Sequence, residues 1–272
     1  MPEGDTIFRS AATLRRWLAG RAVTEATTTV EGFPAARLVG QRVEAVEAQG
    51  KHLLVRLGSG QVLHTHMKMT GSWHVYRSGE RWRRPRSEAR LTVTCGDRVA
   101  VCFNAPVVEL LRPGAERVHR ALAGLGPDIL AVPLAVDEIR DRARAGAPGV
   151  ALGELLLDQT VAAGIGNIWR CESLFAERHN PWTPQAALDD DQLCSLFTTA
   201  ARLMSAQLGP FTGRGLDRWV YGRAGRPCPR CRAPVLARRQ GEMARVAYWC
   251  PRCQPLAPAP QGPGAARGPK GS

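Results

Sequence analysis

Asp158-Gln159-Thr160-Val161-Ala162-Ala163-Gly164-Ile165-Gly166-Asn167-Ile168 is the stretch that decides how this chain folds. An apolar segment is broken there by two glycines and resumes behind an asparagine. Helical periodicity runs up to it over Leu152–Gln159 and away from it over Asn167–Arg178, which stops near Asn180-Pro181. Two helices joined by a glycine-containing loop make a helix–turn–helix-like unit. Helix N-termini offer unpaired backbone N–H groups to phosphates. Asn167 stands at such a terminus, and reads equally as an ordinary helix cap or as a phosphate contact. A short charged helix, Asp137–Ala145, lies upstream. A longer one, Asp190–Leu208, lies downstream, with Leu193, Leu196, Phe197, Ala200, Leu203 and Met204 on one face and Gly209-Pro210 as its stop. Residues 136–208 are therefore expected to be one helical domain.

Beyond it, residues 209–254 carry Cys228-x-x-Cys231 and Cys250-x-x-Cys253, 18 residues apart. Paired cysteines at this distance predict a zinc ribbon in which four thiolates hold one structural Zn2+. Four thiolates leave no open position for catalysis, and the metal stands in for a core that so short a segment cannot supply. The same stretch has ten Arg and two acidic residues. Arg238-Arg239 and Arg245 flank Gln240-Gly241-Glu242, which looks like the tip of a basic hairpin suited to a phosphate backbone. Residues 255–272, mostly Pro, Ala and Gly, predict a disordered tail.

Upstream of the helices, residues 112–135 are rich in Pro and Gly and read as a linker. Residues 21–111 read as short strands. Val43 and Val46, then Leu53–Leu57, are apolar clusters, Gly58-Ser59-Gly60 is a hairpin loop, and Gly96-Asp97 turns Leu91–Cys95 into Arg98–Phe103. Strands at this spacing predict a β-sandwich or barrel. Arg77–Arg90, with six Arg, two Glu and Trp82, reads mainly as a solvated loop, a share of whose arginines face phosphate. Residues 5–19 predict an amphipathic helix, with Ile7, Ala11, Leu14 and Leu18 on its buried stripe and Gly20 as its stop.

Ahead of that helix stands Met1-Pro2-Glu3-Gly4-Asp5-Thr6. Removal of Met1 leaves Pro2 with a free secondary amine. Chain-end amines titrate near ~7.7–8.0, so part of the population is nucleophilic at neutral pH. An amine beside a carboxylic acid, here Glu3, is the minimal kit for Schiff-base catalysis.

The totals narrow the class. The chain has 272 residues, 44% hydrophobic, with a formal net charge of +13 and a pI of about 10.2. That excess favours a polyanionic partner, nucleic acid before membrane surface, since no basic amphipathic helix with a large apolar face is present. No run reaches the ~20 apolar residues of a membrane span, and the start lacks a secretory signal. A cytoplasmic protein is expected. In that setting the eight cysteines favour metal binding over disulfides.

The order of these parts resembles the formamidopyrimidine-DNA glycosylase and endonuclease VIII family, and its endonuclease VIII branch more closely. The likeness covers roughly residues 1–254 and rests on Pro2-Glu3-Gly4-Asp5-Thr6, Gly50-Lys51-His52, Asp158-Gln159 through Asn167-Ile168, and the four cysteines. It implies an α+β multidomain protein: an N-terminal β-sandwich with its helix (1–111), a linker (112–135), a helix–two-turn–helix domain (136–208), and a zinc ribbon (209–254), with DNA between the domains. It implies a monomeric base-excision repair enzyme that removes oxidised bases from damaged duplex DNA and cleaves abasic sites by β,δ-elimination. Pro2 matches the family's Schiff-base nucleophile and Glu3 its proton donor. Lys51 matches a phosphate contact and proton donor at the lesion. Asn167 and Arg245 match phosphate contacts of the helix loop and the zinc hairpin, Arg245 also as a donor in δ-elimination. Met69, in His66-Met67-Lys68-Met69-Thr70-Gly71, matches a wedge that fills the gap left by the extruded base, against the alternative of a core or strand-end methionine.

The chain departs from the pattern at two places. Cys102-Phe103-Asn104-Ala105-Pro106 stands where an Asp-Pro-Arg-Arg-Phe-like run supplies the other wedges. Thr160 replaces a lysine found in many members that act on 8-oxoguanine. These departures favour oxidised pyrimidines or abasic sites. The competing readings are an oxidised-purine glycosylase and a non-catalytic DNA-binding protein.

Overall fold

A computed structural model describes residues 2–209 and 218–256. Met1 and the segments 210–217 and 257–272, which hold Pro210 and nearly all of the expected disordered tail, lie outside the described residues.

Helix α1 (Gly4–Leu18) opens the fold. Its stripe of Ile7, Ala11, Leu14 and Leu18 is buried, each of the larger three contributing about 1.5–3 kcal/mol by leaving water. It packs on the first domain, made of two four-stranded antiparallel sheets. One has the order β1 (Glu25–Thr28), β6 (Ala89–Cys95), β7 (Arg98–Phe103), β5 (Ser72–Arg77). The other has the order β2 (Val43–Gln49), β3 (His52–Leu57), β4 (Val62–His66), β8 (Val107–Leu111). Side chains of both sheets share one core, among them Val46, Leu53, Val55, Leu91, Val93 and Cys102. This is the sandwich that the strand spacing predicted.

The Arg77–Arg90 segment is largely solvated, as expected, with Arg77, Arg81, Arg83 and Arg86 exposed, and its anchor is Trp82. Trp82 stacks on Tyr76 and meets Phe103 edge-on, and the Arg86 guanidinium lies 4.6 Å over the Trp82 ring. Aromatic packing holds this loop on the outer face of the first sheet.

The second core gathers α2 (Val136–Ala145), α4 (Asn167–Ala176) and α5 (Asp190–Ser205). Phe8 of α1 packs against it, so α1 bridges both cores. The expected helix Leu152–Gln159 is shorter. Only Leu152–Leu155, α3, is α-helical, because Asp158 turns the chain by accepting from the backbone N–H and hydroxyl of Thr160. Helix α5 starts on a capping box between Asp189 and Gln192. Ile129 and Leu130, within the stretch 112–135 read as a linker, are buried in this helical core.

The C-terminal hairpin pairs β9 (Leu236–Gln240) with β10 (Arg245–Trp249). Gln240, read as part of the hairpin tip, is instead a buried strand residue whose amide donates to the Pro181 carbonyl at 2.7 Å. The turn itself spans residues 241–244.

Candidate active site

Glu3 is 1% exposed, and its position explains why the chain start is ordered. Its carboxylate accepts from the backbone N–H groups of Gly166 at 3.1 Å, Ile168 at 2.8 Å and Trp169 at 3.3 Å. It therefore caps α4 from another domain, where the helix dipole favours negative charge. Next to it, Asp5 accepts from Trp169 Nε1 at 3.1 Å, and Gly4 N–H donates to the Gly164 carbonyl at 2.9 Å. Gly166 must be glycine because a Cβ there would overlap the Glu3 carboxyl. Pro2, half-buried, is thereby held at the seam between the sandwich and the helical domain.

Lys51 comes to the same place from the β2–β3 turn. Its Nζ donates to the Ile165 carbonyl at 2.5 Å. Gly50 makes this approach feasible: its φ is +58°, and a Cβ would sit 2.8 Å from that of Ala163. The Gly50 N–H donates to Asp128 at 2.7 Å, and Asp128 is bridged in parallel to Ala163. Gln159 braces the loop, accepting from Gly164 N–H at 3.0 Å and donating to the Ile165 carbonyl at 3.1 Å. Asp128 and Gln159 carried no readable signal of these roles.

The charges interact. Burial raises the Glu3 pKa, against the Ile168 hydrogen bond, the charge of Lys51 and the Trp169 hydrogen bond. Burial brings Lys51 down to about 8, with Glu3 opposing and the Arg245 cation reinforcing. Both groups thus move toward neutrality, where proton donation and acceptance at neutral pH are most effective.

Asn167 is not the cap of α4. Gly166 holds that position, and Asn167 is the first helical residue, buried, with Nδ2 donating to the Val246 carbonyl of β10 at 2.9 Å. Among the described residues, its buried Oδ1 has no hydrogen-bond partner. One turn on, the fully buried Arg170 reaches the Arg245 carbonyl at 3.5 Å and Gln240 at 3.4 Å. These two side chains fasten the main chain of β10 at Arg245 and Val246. Sequence reading missed Arg170, since a guanidinium in a helix looks like a surface residue.

Met69 is 64% exposed on the loop between β4 and β5, whereas Met67 is the buried methionine of that loop. Thr70 donates to the Asn104 carbonyl at 3.0 Å, so the Met69 loop rests on the loop that follows Cys102-Phe103. Along the outer side of α1 runs a cavity of about 730 Å³, lined by Thr6, Arg9, Ser10, Thr13, Trp73 and His74.

Cys228, Cys231, Cys250 and Cys253 converge with their sulfurs within 4.8 Å of one another. Two of the separations are 3.8 Å, Cys228 to Cys253, and 3.4 Å, Cys231 to Cys250. A tetrahedral tetrathiolate site with ~2.3 Å metal–sulfur bonds has edges of roughly 3.8 Å, so the donor set fits a metal ion.

Known proteins resemble this chain along most of its length. Residues 1–106 match the formamidopyrimidine-DNA glycosylase N-terminal domain, and residues 125–210 match the formamidopyrimidine-DNA glycosylase H2TH domain. A Streptomyces coelicolor protein named probable endonuclease 8 2 is 41% identical over 98% of both chains. The Mycolicibacterium smegmatis protein named DNA-(apurinic or apyrimidinic site) lyase Nei2 is 35% identical over 93% of this chain and 99% of its own. The crystal structure of the MutM (Fpg) protein from Thermus thermophilus superposes with a TM-score of 0.78 at 27% identity, over 94% of this chain and 100% of that one. With both domain models and near-full-length relatives in agreement, the chain belongs to the formamidopyrimidine-DNA glycosylase and endonuclease VIII family.

Proposed function

We propose that this protein is a bifunctional DNA glycosylase and abasic-site lyase that uses Pro2 as its nucleophile. The observation that carries the reading is the junction of Pro2, Glu3 and Lys51 at the seam between two domains, within electrostatic reach of Arg245. One relative carries the name DNA-(apurinic or apyrimidinic site) lyase Nei2, which is the lyase half of this reading.

The partner is damaged duplex DNA, bound by a monomer in the cytoplasm. An enzyme cannot reach C1′ inside a stack, so the damaged nucleotide turns out of the helix. Exposed Met69 fills the gap. With Met1 removed, the Pro2 amine attacks C1′ while Glu3 delivers a proton that opens the deoxyribose ring. The base departs and a protonated Schiff base remains. That cation acidifies C2′, whose proton is lost as the 3′-phosphate leaves, and the 5′-phosphate follows. Lys51 and Arg245 hold the flanking phosphates and donate protons to them. Asn167 contributes a phosphate contact beside Arg245.

The resident metal is Zn2+, held by Cys228, Cys231, Cys250 and Cys253. It fixes the hairpin that carries Arg245 and takes no part in bond breaking. Oxidised pyrimidines are the favoured lesions, because Cys102–Pro106 has no Arg, its Phe103 is buried against Trp82, and Thr160 is committed to its own turn through Asp158.

Borohydride trapping on DNA carrying thymine glycol or an abasic site tests the reading. A covalent adduct is expected, mapping by mass to Pro2. An adduct that survives Pro2→Gly undiminished and maps to Lys51 overturns the assignment of the nucleophile. Absence of any adduct or cleavage favours a DNA-binding protein without catalysis.

A further inference from the structure

Four of the six histidines of this chain converge on the outer face of the second sheet, away from the sandwich core. Strand alternation puts them there. His52 pairs with His66 across β3 and β4, and His64 pairs with Glu109 across β4 and β8. His119 arrives from the segment after β8, which folds back over this face. The Glu109 Oε2 lies 3.1 Å from His64 Nδ1 and 3.1 Å from His119 Nε2. His64 is 1% exposed, and its second ring nitrogen, Nε2, lies 2.9 Å from His52 Nδ1. The open side is a cavity of about 530 Å³ whose rim includes Lys68 and Arg120.

We propose that His64, Glu109 and His119 form a second metal site, for a first-row divalent cation such as Zn2+, distinct from the four-cysteine cluster. Two imidazoles and one carboxylate are a donor set that binds such ions and leaves further positions open. The three ligand atoms lie within 4.8 Å of one another. Tetrahedral coordination at ~2.0–2.1 Å needs edges of roughly 3.3–3.4 Å, a few tenths of an ångström from the 3.1 Å separations here.

The surroundings also fit. A metal-bound imidazole carries its proton on the other nitrogen and gives it to an outer partner. For His64 that partner is already in place: Nε2–H donates to His52 Nδ1, whose own proton moves to Nε2. No net proton is released when both rings start neutral. His119 moves its proton to Nδ1 and gives up the long 3.3 Å bond from the Ala121 N–H. Besides the two contacts to Glu109 that the metal replaces, that bond is the local cost of loading the site. A bound ion ties β4 and β8 to the segment that covers them. The remaining coordination positions face the cavity, where Lys68 and Arg120 favour an anionic oxygen ligand.

Metal content of the full-length protein, after Zn2+ saturation and exhaustive dialysis against buffer, provides the test. The wild type should retain a second equivalent beyond the four-cysteine site, and Glu109→Gln and His119→Ala should each lose that equivalent alone. Co2+ titration separates the sites spectroscopically. Thiolate-to-cobalt charge-transfer bands report the cysteines, and a thiolate-free ligand-field spectrum, absent in both variants, reports the new site. Both substitutions fall on partly exposed rim residues, and circular dichroism checks that the variants are folded. One equivalent in the wild type, or a second equivalent that persists in both folded variants, overturns the proposal.

Discussion

The Glu3 carboxylate accepts a 2.8 Å hydrogen bond from the backbone N–H of Ile168, 165 residues along the chain. This contact fixes the chain start to α4 and places a buried acid beside Pro2. Glu3→Gln preserves the volume but removes the transferable proton. Base removal should fall by about 10²–10⁴, the usual worth of a general acid. Cleavage of a ready-made abasic site should fall much less. Single-turnover assays on the two substrates check the split; equal losses would make Glu3 a structural cap only.

Lys51 gives a pH signature of folding. Its pKa is about 8 in the folded protein against an ordinary 10.5. Between those values the unfolded chain binds the extra proton, so stability rises with pH across this window. The full shift corresponds to about 3 kcal/mol. Lys51→Met abolishes this term. The stability advantage of wild type over Lys51→Met should therefore grow between pH 8 and 10. Urea unfolding of both proteins at several pH values measures it.

Gly50→Ala should damage the seam without touching a reactive group. The substitution meets a left-handed φ of +58° and a neighbour at 2.8 Å. A cost of about 1–3 kcal/mol is expected from strain and overlap. Displacement of Lys51 should lower turnover as well. Thermal unfolding and single-turnover rates report the two effects, and Gly149→Ala, in open space, serves as the control.

The hairpin makes a prediction about salt. Arg245→Ala should weaken DNA binding and reduce the dependence of log K on log salt by about one. Removing the metal with a thiol-competent chelator should do the same, because the hairpin then loses its anchor. Asn167 and Arg170 hold only the turn end of β10 from α4, and the helical domain has its own core, so that domain should keep its thermal transition. Binding isotherms at several salt concentrations check both treatments.

The parts of this protein that were legible in its sequence are local. The stripe Ile7, Ala11, Leu14, Leu18 and the turn Gly96-Asp97 state their structures through period and backbone preference. Cys228 to Cys253 state theirs through ligand spacing. Where a side chain competed with the backbone, the reading slipped. Asp158 ends α3 early, and Gln240 is drawn into the core as a strand residue. Arg170 and Asp128 were invisible as site residues, since their partners lie in other elements.

Sequence alone determined the inventory: a Pro-Glu start ahead of an amphipathic helix, a glycine-split helix pair, a sheet-forming middle and a four-cysteine ribbon. Each depends on residues near one another along the chain, where spacing is fixed by covalent geometry. Only the tertiary structure decided that Glu3 caps α4, that Lys51 reaches Ile165, and that four histidines share one face with Glu109. Those relationships follow from the packing of two cores across α1 and from strand register. A hydrogen bond between residues 3 and 168 exists only after the chain between them has folded.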